Sequence, residues 1–332
     1  MLQSPPQTPV LFTTSEEVIL EKMIRSDHAF RKLNDLLDFD ALASPLRSLY
    51  SDVGAVGLDV KKGMKCLLIQ FWEDYSDREM EKALEENVAL KWFCGFSLLE
   101  ETPDHSYFGK LRKRLGTKPI ADLFHTVNEV MENRGLVGNI FTFIDASALV
   151  TKTALWEERD RAILEGEEKL TNTNVSREAA DPDARFGAKS SKKIWFGYKR
   201  HHAVDMRHGL ITKVAVTPAN VPDAKAMKHV CPKQGMVFMD KGYVGKEVAQ
   251  ELKRNQCADG TIQRDNMKTK NRDLDRYRTR TRMPFEGNFS KLRRRTKYRT
   301  TVKVLFQCFG EALCHNLKKA IRILPPPIPI YP

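Results

Sequence analysis

Three carboxylates in this chain have the surroundings of acids that do chemistry. Asp145 closes the run Ile140, Phe141, Thr142, Phe143, Ile144, whose apolar and β-branched residues read as a buried strand with an acid at its edge. Asp240 repeats the device after Val237, Phe238 and Met239, and Gly242 behind it suits a tight strand exit. Glu286 stands almost alone in the tract 264–299, where 14 Lys and Arg face 4 acids. Divalent cations such as Mg²⁺ take oxygen ligands, and a pair of them can activate an attacking oxygen while stabilising a leaving one. Three acids on separate elements, with positive charge around the last, point to a metal-dependent site acting on phosphates.

The elements that must hold these acids fall into two parts. Residues 16–37 carry apolar positions at helical spacing, interrupted at Ser26 and Asp27, which predicts two short helices. A further helix is expected over 58–72. Ser76-Asp77-Arg78-Glu79 has the spacing of a capping box and predicts a helix start. Trp92-Phe93-Cys94-Gly95-Phe96 reads as a compact aromatic patch, and Thr102-Pro103 as an N-cap with proline at the first helical position. The helix that follows to Leu115 places Lys110, Arg112, Lys113 and Arg114 largely opposite Phe108, Leu111 and Leu115, so it reads either as a DNA-facing helix or as an ordinary surface helix. Residues 120–131 complete the helical part, ended by Asn133-Arg134-Gly135.

From Gly138 the apolar residues come instead in short runs, at 140–144, 194–204, 210–217 and 237–239, the mark of a sheet. Met206-Arg207-His208-Gly209 is short enough for a hairpin, making the first three strands antiparallel neighbours. Residues 151–193 contain a short helix beginning at Trp156-Glu157-Glu158-Arg159 and then a polar stretch, 172–193, expected as a mobile loop. A helix over 244–253, a strand near Thr261-Ile262 and a late helix bearing Glu286 give the order strand, hairpin, strand, helix, strand, helix. The fold class is therefore mixed α/β. Expected boundaries are a flexible lead over 1–15, a helical domain over 16–136, the sheet domain over 137–323 and a proline-rich tail over 324–332.

Composition limits the partners. With 41% hydrophobic and 30% charged residues in 332, and no apolar run approaching the ~20 residues that span a bilayer, membrane insertion is not expected. Residues 1–13 lack the basic start and apolar stretch of a secretory signal. Cys66, Cys94, Cys231, Cys257, Cys308 and Cys314 show no paired spacing and fit reduced thiols in a cytoplasm. The formal charge of +12 is concentrated in the 264–299 tract, where Phe285, Glu286, Phe289 and Leu292 interrupt the basic residues at helical spacing. Such a surface favours nucleic acid as partner. His201-His202 and the Cys308, Cys314, His315 group lack a second ligand pair at zinc spacing. Asp205 and Asp223 sit where structural aspartates belong, before a hairpin turn and in a Pro-rich loop. Lys189, Lys192, Lys193, Lys199 and Arg200 either guide DNA or form a solvated edge.

The ordered set Asp181-Pro182-Asp183-Ala184-Arg185, Gly197-Tyr198-Lys199, Thr217-Pro218-Ala219-Asn220-Val221-Pro222-Asp223, Asp240-Lys241-Gly242-Tyr243 and Asn316-Leu317-Lys318-Lys319 resembles bacterial insertion-sequence transposases of the Asp-Asp-Glu type. Ser76-Asp77-Arg78-Glu79, Trp92-Phe93-Cys94-Gly95-Phe96 and Thr102-Pro103-Asp104-His105-Ser106 are similar to that family's N-terminal domain, so the resemblance covers roughly residues 50–323. The family's Tyr-x2-Arg-x3-Glu-x6-Lys signature is met in part: Arg282 and Glu286 have the spacing, Thr279 takes the tyrosine position with Tyr277 two residues away, and Arg293 takes the lysine position. The resemblance implies a ribonuclease H-like core in which Asp145, Asp240 and Glu286 hold two Mg²⁺ or Mn²⁺ ions, Asp145 bridging both. It implies cleavage of double-stranded DNA at the element's ends and attack of the freed 3′-hydroxyl on target DNA, by a dimer assembled on DNA in the bacterial cytoplasm. A metal-dependent nuclease without joining and a non-catalytic DNA-binding derivative remain as alternatives. Arg282, Lys291, Arg293 and Arg294 are the expected DNA contacts, with Arg282 and Arg293 on the same side of one helix as Glu286.

Overall fold

The computed structural model describes residues 15–50, 57–151, 163–166, 169–267, 270–290 and 292–324. The lead, most of the tail, the Trp156-Glu157-Glu158-Arg159 helix and Lys291 therefore lie outside the described residues. The chain divides into two compact units, one of residues 1–130 with 313–332 and the other of residues 131–312. Among the described residues no helix is long and apolar enough to cross a membrane.

The first unit is helical: α1 (Ser15–Met23), α2 (Ala29–Leu36), α3 (Phe39–Ala43), α4 (Val60–Trp72), α5 (Asp77–Glu86), α6 (Val88–Cys94), α7 (His105–Leu115) and α8 (Thr117–Asn133), whose last residues enter the second unit. The capping box forms as expected, Ser76 and Glu79 each accepting from the other's backbone N–H. The aromatic patch becomes core, with Phe93 stacked on Phe30 at 4.8 Å and edge-on to Phe39 at 5.5 Å, and Gly95 closes α6 at φ +82°. α7 starts later than its Thr-Pro pair predicts. Asp104 is the N-cap, because its carboxylate accepts from Ser106 N and Tyr107 N. On α7 Arg112 is spent internally, gripping both oxygens of Asp77 and Gln70 Oε1, so the helix offers less free charge than its sequence promises.

The second unit is built on one mixed sheet: β1 (Phe141–Val150), β2 (Arg185–Ser190), β3 (Lys193–Asp205), β4 (Leu210–Pro218), β5 (Gly235–Met239) and β6 (Cys257–Thr261). Strand order is β2-β3-β1-β5-β6, with β4 also paired to β3. β1, β3 and β4 are antiparallel neighbours as expected, and β5 and β6 continue the sheet in parallel with β1. α9 (Lys246–Arg254) crosses from β5 to β6 and packs Val248 and Leu252 into the core beside Ile144, Val237 and Met239. Then come α10 (Arg272–Ser290) and α11 (Thr301–Ile323), the latter entering the first unit at Leu313.

Three expectations are corrected here. Residues 172–193 are not a structureless loop: they hold a helical turn, Val175–Glu178, and strand β2. β2 escapes pattern reading because its far half is wholly exposed and so carries no apolar alternation. β1 does not end at Asp145 but continues to Val150, since Ala146 to Val150 pair with β3 from His201 back to Gly197. Finally, α10 stops at Ser290, so Arg293 and Arg294 do not share a helix face with Glu286. The segment after it lies along the end of β1, with Val150 N donating to Arg294 O at 2.9 Å and Thr296 N to Val150 O at 2.9 Å. Burial of Leu292 and Thr296 and the grip of Gln307 on Lys297 N and Arg295 O fix that extended path.

Candidate active site

The parallel register of β1 with β5 pairs Ile144 with Met239, so the next residue along each chain, Asp145 within β1 and Asp240 just past the end of β5, comes at a neighbouring position. Asp145 is opposite His202 of β3, inside the sheet. Burial pushes its carboxyl up to about 6; the Ala146 N–H and the charges of Lys189 and Arg282 pull the other way, and Asp240 adds to the rise. Asp240 caps the 3-10 turn Lys241–Tyr243, accepting from Lys241 N at 2.7 Å, and stays 45% exposed.

Glu286 arrives on α10 through Arg282. One turn apart on the helix, the two face the same way, and the Arg282 guanidinium lies 3.2 Å from Glu286 Oε1 and 3.8 Å from Asp240 Oδ1. It also sits over the Phe143 ring at 5.9 Å, with only 15% of its side chain exposed. Arg282 thus joins the carboxylate of β5 to that of α10, and its charge is felt at Asp145. Arg278 braces the same helix on the sheet by donating to Thr261 O and Asp259 O. At the signature's tyrosine position, Thr279 turns its hydroxyl to Asp275 O at 2.8 Å. Arg293 and Arg294 are exposed beside the strapped segment that follows α10, and Lys291 lies outside the described residues.

Donor chemistry fits a hard divalent cation: three carboxylates, one of them desolvated, around a positively charged side chain. Among the described residues no group of three or more His, Cys, Asp or Glu is gathered so as to hold a metal ion. The Arg282 guanidinium lies between two of the acids, Asp240 and Glu286.

Sequence reasoning missed what holds Asp240 in place. Tyr243 N donates to Asp240 O at 3.0 Å, and the buried Tyr243 hydroxyl shares a hydrogen bond with His201 Nδ1 at 2.9 Å. His201 Nε2 meets Thr217 Oγ1, also at 2.9 Å, and burial holds this imidazole down to about 4. It is therefore a neutral structural link, not a zinc ligand. Beside it Lys199 donates to Val221 O and pairs with Asp223 at 2.8 Å, and Gly242 lies against Asp223, where a Cβ would come within 3.0 Å of its Oδ2. That close approach, not a positive φ, is why a glycine follows Asp240. Asp205 is structural as expected, accepting from Gly138 N, Asn139 N and Arg207 N. The Asp181-Pro182-Asp183 motif caps α11: Asp181 accepts from Tyr198 Oη and Thr300 N, and Asp183 from Thr301 N.

Two family models match the chain. Residues 18–114 match the Transposase domain (DUF772), and residues 140–317 match the Transposase DDE domain. Among solved structures, the chain is similar to the piggyBac transposase in a cryo-EM structure of its synaptic complex with hairpin DNA, at 9% identity and a TM-score of 0.38, over 92% of this chain and 74% of that one. The second family model spans more than half of the sequence and both strands that carry the paired aspartates, and on that match this chain belongs to the Transposase DDE domain family and is a DDE transposase.

Proposed function

We propose that this transposase cuts phosphodiester bonds at the ends of an insertion sequence and joins the 3′-hydroxyls to target DNA, with Asp145, Asp240 and Glu286 as its catalytic carboxylates. The observation that carries the reading is the pairing of Ile144 with Met239 in the parallel β1–β5 register, directly before Asp145 and Asp240, with Glu286 tied to Asp240 through Arg282. Two Mg²⁺ or Mn²⁺ ions, when bound, supply Lewis acid stabilisation of the attacking and leaving oxygens. Asp145, desolvated and without an ion pair among the described residues, is the acid best placed to gain from them.

The protein's own residues do the rest. The Tyr243–His201–Thr217 chain keeps the Asp240 turn from drifting. Arg282 can exchange its carboxylate contacts for phosphate oxygens, which suit a planar guanidinium better than a point charge. The exposed Arg293 and Arg294, and Lys291 beside them in sequence, add phosphate contacts that position the duplex without reading its sequence. Double-stranded DNA is the partner, and a dimer assembled on it would present two ends at once. Incubation of the protein with Mg²⁺ and DNA carrying the element's ends tests the reading. Joined products are expected; cut but unjoined DNA would reduce the protein to a nuclease, and binding without any cut would overturn the catalytic assignment.

A further inference from the structure

The outer end of the β2–β3 hairpin has no part in the fold's core. Residues 188–194 are all exposed, among them Lys189, Lys192 and Lys193, and Ile194 presents 62% of its surface to solvent. The base of the hairpin is, by contrast, tightly fixed. Gly187 lies so close to Ala219 that a Cβ would come 2.6 Å from its carbonyl oxygen, and at Gly197, φ +148°, a Cβ would come 2.2 Å from Leu149 O. Phe186 and Phe196 pack across the two strands at 4.8 Å. Asn172 closes the open edge of β2, donating to Phe186 O and accepting from Phe186 N at 2.7 Å. The result is a two-stranded ribbon clamped at one end and bare at the other.

Lysines on an edge strand can serve only to discourage pairing with other chains. That role needs neither an exposed isoleucine nor a clamped base. A two-stranded ribbon has the width of the DNA major groove, and ordering its base beforehand lowers the entropy lost when it binds. The ribbon also runs near the catalytic strand, since the charge of Lys189 is one of those that act on the Asp145 carboxyl.

We infer that the β2–β3 ribbon is a DNA-gripping finger, in which Lys189, Lys192 and Lys193 contact phosphates of the duplex beside the bond addressed by Asp145 and Asp240. This rests on the proposed transposase site and specifies how its DNA is held. The test is binding of the full chain to end-bearing duplex DNA over a range of salt, comparing wild type with Lys189→Ala/Lys192→Ala/Lys193→Ala. The same three positions changed to Arg, and Lys228→Ala/Lys233→Ala/Lys253→Ala, which removes equal charge from other exposed sites of the same unit, serve as controls. Each phosphate contact contributes about 0.9 to the slope of log K against log salt, so the ribbon alanine variant is expected to lose roughly two to three units of slope. Both controls should stay near wild type. Equal losses in the two alanine variants, or none in the ribbon variant, would overturn the finger while leaving the active site untouched. A wild-type protein that binds no end-bearing DNA would overturn the finger and the proposed function together.

Discussion

Asp145 and His201 pull the pH dependence of this protein in opposite directions. Asp145 has its folded pKa raised to about 6 from 3.8, so the stability it lends is present below pH 3.8 and is lost as pH rises through 6. His201 is depressed to about 4 from 6.5, so its contribution is present above pH 6.5 and is lost as pH falls through 4. A shift of about two units corresponds to at most about 3 kcal/mol for either group. In metal-free protein at pH 7.5, Asp145→Asn should therefore be more stable than wild type, by about 2–4 °C in Tm for each kcal/mol recovered. With Asp145 gone, stability should climb steadily between pH 4 and 6.5 under the influence of His201. Thermal unfolding in a chelator reads both, and a lower Tm for Asp145→Asn would contradict the desolvation account. Tyr243→Phe removes the hydroxyl that His201 holds and leaves a buried ring nitrogen unpaired, at a cost of about 1–3 kcal/mol. Single-turnover cleavage at saturating protein should fall while DNA affinity is kept; unchanged cleavage would show that the Asp240 turn needs no such anchor.

At the scale of elements, the decisive position is Gly197, where β3 passes from pairing with β2 to pairing with β1. A methyl group there would strike Leu149 O and would need a φ that L residues avoid, so Gly197→Ala should destabilise by more than about 1–3 kcal/mol, as denaturant unfolding would report. A variant as stable as wild type would mean that the junction relaxes freely. The strands buried on both faces were legible as apolar runs, because burial demands apolar side chains and leaves a mark in composition. β2 was not, since pairing alone makes it a strand. The helix carrying Glu286 was legible as far as Ser290. Phe285, Phe289 and Leu292 continue a helical spacing past that point, but Leu292 is buried beyond the helix end, in a segment tied to Val150, a partner far away in sequence. The local settings of Asp240 and Glu286, a strand exit and a helix, could be read from their neighbours in the chain. Their supports could not, because Tyr243 finds His201 across 42 residues and Asp183 finds Thr301 across 118.

For the whole molecule, the formal charge of +12 overstates the positive surface available to DNA. Arg112 is bound to Asp77, Arg200 to Glu311 at 2.6 Å with 1% of its side chain exposed, and Arg278 and Arg282 are held by backbone and carboxylates. The β2–β3 ribbon and the arginines after α10 are among the exposed basic groups of the second unit, and both belong to the residues matched by the DDE family model. The proposed division of labour is that these cations hold DNA and the three acids act on it. Asp145→Ala, Asp240→Ala and Glu286→Ala test it most directly, each assayed for strand cleavage in Mg²⁺ and for binding to the same end-bearing DNA. Every one of the three should lose cleavage and keep an affinity close to wild type, whereas near wild-type cleavage by any of them would remove that residue from the site.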